Sequence, residues 1–255
     1  MLGILIPYHS FFEFCPFQLR NIQHFVKVPH KILIVDDSDL DSSDLPSIAK
    51  DFNVAYWKIP PAQHNMFGNN PSARHQHAVN VGLHFLREMC SHILIFDNDM
   101  IFMKDFNPSL DRSLWYVPHT RGTLVYPWLN LFLFSTHEDI YEIHFNVCPL
   151  TGEGTDSGGS LSEILQERKE DCHSITFEFS SDVYLLDWQK KYRQLCETYQ
   201  IQPWYDIFHF QATSIFHFRG LSNWQNHPSE FLHAKKTLIL EALNEFQNTY
   251  LPDTH

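Results

Sequence analysis

Four short apolar runs dominate the first hundred residues: Leu2 to Ile6, Ile32 to Val35, Val54 to Ile59 and Ile93 to Phe96. Each has the length of a strand, and each is separated from the next by enough chain for a helix or a long loop. That rhythm predicts parallel βα units and an α/β class fold with an open sheet. The clearest helix falls before the fourth run, where Ala78, Val81, Phe85 and Met89, flanked by Gly82 and Leu86, form an apolar stripe. Asn70-Pro71 supplies its N-cap and first-turn residue.

The second half reads differently. Trp115 to Val117 and Leu124 to Phe134 are aromatic and β-rich, so mixed strands are expected there. Glycines at 152, 154, 158 and 159 mark a loop, and Ser160 with Glu163 reads as a capping box opening a helix. A last helix from about Phe231 carries Ile239, Ala242, Leu243, Phe246 and Tyr250 on one face. At 255 residues the expectation is a single domain, with halves at 1–105 and 106–255.

Bulk properties exclude several partners. A formal charge of −12, with Lys and Arg scattered, disfavours nucleic acid and anionic membranes. No apolar stretch approaches the roughly 18 residues of a membrane span. The start, Met1 to Pro7, lacks the basic region of a signal peptide and reads as a strand, so a cytoplasmic protein is expected. Five cysteines without CxxC spacing argue for free thiols rather than a disulfide framework or zinc site.

The fourth run ends in Asp97-Asn-Asp99, which places two carboxylates at the carboxyl edge of the sheet, where ligands of open α/β folds bind. Carboxylates at i and i+2 repel unless a cation or donors lie between them, and hard oxygen ligands suit Mn²⁺ or Mg²⁺. The second run similarly ends in Asp36-Asp37, carboxylates able to accept from a base N–H or ribose hydroxyls. A solvated acidic turn is the plainer alternative there.

In order and spacing, Ile4-Leu-Ile-Pro7, Ile34-Val-Asp36-Asp37, Asn80-Val-Gly82-Leu83 and Asp97-Asn-Asp99 resemble the GT-A glycosyltransferases, in particular the inverting nucleotide-sugar transferases. The resemblance covers about the first 105 residues and implies a GT-A type fold, Rossmann-like, with an acceptor-side half of mixed strands. It implies that Pro7 and Tyr8 line a base pocket, that Asp36 or Asp37 touches the nucleoside, and that Arg74 and Asn80 face the donor. Asp97 would approach the ribose or sugar and share the metal with Asp99.

A later segment, Ile215-Phe-His217-Phe-Arg-Gly220-Leu-Ser-Asn-Trp224, resembles the His-x-x-Gly segment of retaining GT-A enzymes. There the His completes the metal shell, which nominates His217 as third ligand and Gly220 for close approach to phosphate. The Lys-Pro of that segment is missing here, leaving Arg219 as a substitute cation. Asp156, in a glycine-rich loop before a helix, occupies the place of the catalytic base of inverting enzymes, with Glu153 nearby. The function expected is metal-dependent transfer of a sugar from a UDP- or GDP-sugar to a glycan or other hydroxyl acceptor. Two alternatives remain at this point: a haloacid-dehalogenase-like phosphatase with Asp97 as nucleophile, or a non-catalytic sugar-binding module. The phosphatases place their motif near the start of the domain, whereas three strands precede this one.

Overall fold

The computed structural model describes residues 1–39, 44–64, 66, 70–111, 114–121, 123–138, 140, 158–168, 170–179, 186–219 and 227–251. Along the chain these form β1 (Leu2–Tyr8), α1 (Cys15–Phe25), β2 (His30–Asp36), α2 (Leu45–Asp51), β3 (Ala55–Lys58), α3 (Pro61–His64) and α4 (Pro71–Arg87). β4 (His92–Phe96), β5 (Met100–Phe102), β6 (Leu114–Arg121), β7 (Leu124–Ser135), α5 (Ser162–Glu167), β8 (Cys172–Ser174) and β9 (Thr176–Phe179) follow. The chain continues through α6 (Leu186–Thr198), β10 (Asp206–Phe210), β11 (Thr213–His217) and α7 (Ser229–Tyr250). Among the described residues, no helix is long and apolar enough to cross a membrane.

The chain passes several times between two compact units. The first comprises Met1–Phe12, Val28–Asn98 and Asn107–Thr176; the second comprises Glu13–Lys27, Asp99–Phe106 and Phe177–His255.

The first unit is the α/β body. Its seven-stranded sheet has the order β3-β2-β1-β4-β7-β6-β8. β3, β2, β1 and β4 run parallel, β7 is antiparallel to both β4 and β6, and β8 is parallel to β6. This is the Rossmann-like open sheet with mixed strands that the sequence spacing predicts. β1 and β4 are buried along their whole lengths, which is why they read as unbroken apolar runs. The chain winds outward through β2 and β3, then returns by α4 to lay β4 on the other side of β1. The strand order therefore reverses between β1 and β4, and the crevice at their carboxyl ends is where such sheets bind ligands.

α4 begins as expected: Asn70 accepts a hydrogen bond from the Ala73 N–H at 3.2 Å, with Pro at the first turn. Its buried face is turned from the expected stripe. Ala78, Val79, Leu83 and Leu86 pack into the core with Leu5, Val35 and Ile95, Val81 and Phe85 are only partly covered, and Met89 lies beyond the helix and is exposed. Gly82 fixes how close the helix comes to β1, since a Cβ there would stand 2.1 Å from Leu5 Cδ1. The helix begins later than a cap at Ser160 would start it. Gly158, at φ 100°, leads into a 3-10 turn over Gly159–Leu161, and α5 starts only at Ser162 with no side-chain cap. A Cβ on Gly158 would meet the Pro127 carbonyl at 2.6 Å, so the tight seat against β7 sets the entry.

The second unit holds a four-stranded sheet in the order β5-β11-β10-β9 with an aromatic core. Trp188 on α6 stacks on Tyr192 and meets Tyr205, Phe216 and Phe218 edge-on. α7 buries Phe231, Ile239, Ala242, Leu243 and Phe246, as its periodicity predicts, while Tyr250 is exposed. Cys15, Cys90 and Cys196 are buried free thiols and Cys172 a half-buried one; Cys148 lies outside the described residues.

Candidate functional site

In the first unit the parallel strands end level. Tyr8 pairs with Asp36, and Asp36 pairs with Lys58, so the carboxyl edges of β1, β2 and β3 form one rim. Pro7 and Tyr8 are buried at that rim. Asp36 is fully enclosed, with its carboxylate accepting from Tyr56 Oη at 2.8 Å, Lys58 Nζ at 3.2 Å and the Ser38 amide at 2.9 Å. Burial alone would raise its pKa, but the hydrogen bonds from Ser38 and Tyr56 and the Lys58 charge outweigh it and hold the carboxyl below its usual range.

Asp37 is not a solvated turn residue. It is buried, and its Oδ2 accepts from Arg74 Nε at 3.1 Å, so these two expected donor-facing residues are brought together. The Asp37 amide donates to the Tyr8 carbonyl at 2.7 Å, tying the ends of β1 and β2. Arg74 also reaches His9 Nδ1 at 3.0 Å and Asp39. Asn80 is half-buried further along α4.

Asp97 leaves the end of β4 half-buried, its amide donating to the Asn130 carbonyl of β7 at 2.9 Å. His75, on the first turns of α4, lies 3.7 Å from it. Asn98 is buried and donates through Nδ2 to the Ser10 carbonyl at 3.2 Å, so the middle residue of the motif anchors the turn to the end of β1.

The second unit takes over at Asp99, just before β5. Met100 pairs with His217 across β5 and β11, and the Phe218 amide donates to the Asp99 carbonyl at 3.0 Å, which extends that ladder by one step. Asp99 Oδ1 therefore stands 3.0 Å from His217 Nε2, with both side chains almost fully buried. On its other side, His217 Nδ1 donates to Asp206 Oδ2 at 2.9 Å. Asp206 and His217 are direct partners across the β10–β11 hairpin, which puts their side chains on one face. Burial pulls the imidazole pKa down, yet the Asp99 and Asp206 carboxylates prevail and hold it up to about 10. Asp206 Oδ1 accepts from Arg219 at 3.2 Å, and the Arg219 guanidinium lies 4.1 Å above the Trp204 ring. Lys235 of α7, itself buried, donates to the Arg219 carbonyl at 3.0 Å. Burial depresses that lysine well below its normal range, with Asp99 and Cys196 opposing.

Asp97, Asp99 and His217 are side chains able to hold a metal ion. The chemistry of this donor set fits Mn²⁺ or Mg²⁺: two carboxylate oxygen donors, and an imidazole whose far nitrogen is held by a carboxylate in the manner of metal-ligating histidines. Asp156, Glu153, Gly220 and Trp224 lie outside the described residues. Asp206 and His75 escape a reading by motif. Asp206 has a signal nonetheless, because Gln211-Ala212 is a two-residue hairpin turn and counting back from it sets residue 206 opposite residue 217.

No known family's sequence pattern matches the chain, and no curated protein matches it. Among solved structures, one match is the crystal structure of S. aureus TarS, at 14% identity and a TM-score of 0.35, over 53% of this chain and 28% of that one. The strand order, rather than that partial superposition, defines an α/β protein with a Rossmann-like sheet.

Proposed function

We propose that the chain is a metal-dependent glycosyltransferase, moving a sugar from a nucleoside diphosphate sugar to an acceptor hydroxyl. The observation that carries this reading is the buried Asp99–His217 pair of the second unit, braced by Asp206, in which Asp99 closes the Asp97-Asn-Asp99 segment that follows β4 in the chain. Chain connectivity alone keeps Asp97 within about 7 Å of Asp99, Cα to Cα, so both carboxylates are on hand for one cation. In this reading Asp97, Asp99 and His217 hold Mn²⁺ or Mg²⁺. The ion supplies Lewis-acid stabilisation of the diphosphate leaving group.

Pro7, Tyr8 and the Asp37–Arg74 pair shape the nucleoside pocket, with Asp36 as its braced floor and Asn80 toward the donor. Gly220 admits the phosphates close to backbone. Asp156 removes the proton from the acceptor hydroxyl as its oxygen attacks the anomeric carbon and the bond to the diphosphate breaks, which inverts that centre.

The test is a panel of UDP- and GDP-sugars assayed for hydrolysis and transfer with and without Mn²⁺, alongside calorimetry of Mn²⁺ with nucleoside diphosphate. Metal affinity should rise when the diphosphate is present, and Asp99→Ala should abolish that coupling. Phosphate-monoester hydrolysis in place of sugar release, or coupling unchanged in Asp99→Ala, would overturn the reading.

A further inference from the structure

Asp206 belongs to the buried cluster of the second unit, and neither metal ligation nor the transfer chemistry gives it a task. It is fully enclosed, and its two oxygens are divided, Oδ2 accepting from His217 and Oδ1 from Arg219. With both oxygens engaged at 2.9 and 3.2 Å, it is suited neither to ligate a cation nor to take a proton from substrate. Its place is behind His217 and Arg219.

We infer that Asp206 is a positioning residue that presents His217 to the metal and Arg219 to the diphosphate as one unit; the inference rests on the glycosyltransferase reading above. Two features argue for it. First, a carboxylate on Nδ1 fixes the ring so that Nε2 points at Asp99 Oδ1, 3.0 Å away, and such partners both orient a metal-binding imidazole and raise its basicity. Second, Arg219 has a backbone φ of 30°, a conformation that a residue with a side chain adopts only when its surroundings over-determine it. Three contacts do so here: Asp206 on the guanidinium, the Trp204 face beneath it, and Lys235 on its carbonyl. Trp204 is 55% exposed, so the guanidinium rests on an aromatic plate at the surface of its unit. Arg219 follows His217 by two residues. A planar, multi-donor cation there suits a diphosphate. A single carboxylate thus couples the geometry of the metal ligand to that of the phosphate-binding cation.

The experiment titrates the full chain with Mn²⁺ alone, followed by electron paramagnetic resonance of the free ion, and again with inorganic pyrophosphate present. Asp206→Asn keeps the side chain's shape, but its one carbonyl oxygen serves only one of the two donors. It should weaken Mn²⁺ about 10–100-fold, as loss of a partner behind a ligand does, and also remove the gain from pyrophosphate. Arg219→Gln should leave Mn²⁺ binding alone within about twofold and remove only the pyrophosphate gain. Wild-type protein that binds no Mn²⁺ under either condition refutes the glycosyltransferase reading itself. Wild-type coupling that survives in a folded Asp206→Asn refutes the role of Asp206 while leaving that reading intact. Should Asp206→Asn fail to fold, the ¹⁵N spectrum of wild-type His217 with Mg²⁺ decides: a proton kept on Nδ1 with Nε2 metal-bound supports the inference, and metal on Nδ1 overturns it.

Discussion

Gly82 offers the sharpest test of how α4 is set against β1. Gly→Ala inside an open helix normally stabilises by about 0.5–1 kcal/mol, because the unfolded glycine has more freedom to lose. Here the new methyl would stand 2.1 and 2.7 Å from the two Leu5 methyl carbons and 3.0 Å from Cγ, in a core where Leu5 is fully buried. Overpacking of this kind costs roughly 1–3 kcal/mol, so the net expectation for Gly82→Ala is a loss of about 1–2 kcal/mol. For a chain of this size that is a fall in Tm of very roughly 2–8 °C.

Urea and thermal unfolding of Gly82→Ala, Leu5→Ala and the double variant would measure it. Leu5→Ala alone removes buried methyls and should cost about 2–5 kcal/mol. In that background the clashing atoms are gone, so Gly82→Ala should change sign and stabilise, giving a coupling energy of about 1–3 kcal/mol. Since α4 carries Arg74, His75 and Asn80 while β1 ends in Pro7 and Tyr8, the single variant should also raise the donor KM. A Gly82→Ala protein as stable as wild type, or one whose cost is the same in the Leu5→Ala background, would refute the close approach.

Three further outcomes are expected. Asp36→Asn should flatten the acid limb of stability: the folded carboxyl lies below its ordinary value near 3.8, so its contribution is present above that pH and is lost as pH falls through the lower folded value. Unfolding followed between pH 2 and 7 should then show wild type and variant converging at the acid end. Asp37→Ala should raise the donor KM and also destabilise, because it takes the buried carboxylate from the Arg74 guanidinium and leaves it to Asp39 and His9, a loss of about 1.5–3 kcal/mol; unchanged thermal unfolding would show the pair to be solvated. Asp156→Asn should lower kcat for transfer about 10²–10⁴-fold while Mn²⁺ and nucleotide binding persist, and near-normal transfer or a retained anomeric configuration would remove it as the base.

The parts of this fold legible in the sequence are those whose cause is local. β1 and β4 are enclosed on both faces, so burial writes itself as an apolar run, and the aspartate that follows β4 marks the carboxyl edge of the sheet. The Asn70 cap is likewise settled within four residues. What misled was decided at a distance. Ser160 and Glu163 have the spacing of a capping box, but the seat of Gly158 on the Pro127 carbonyl fixes the entry to α5 and starts the helix later. The α4 stripe was displaced toward Val79 and Leu83 because β1 and β2, not the helix's own periodicity, choose the face that is covered. The alternative of a solvated turn at Asp37 is removed only by Arg74, 37 residues on, which closes over it.

Asp206 lies between these cases. Nothing around it in the sequence distinguishes it from any acidic strand start, yet the hairpin turn at Gln211-Ala212 imposes a register, and register places it opposite His217. Once the structure locates a tight hairpin, the contact across it follows by counting from the turn. One carried by a separate helix, as with Lys235 on α7 and the Arg219 carbonyl, has no such arithmetic, since no turn ties the two segments in register.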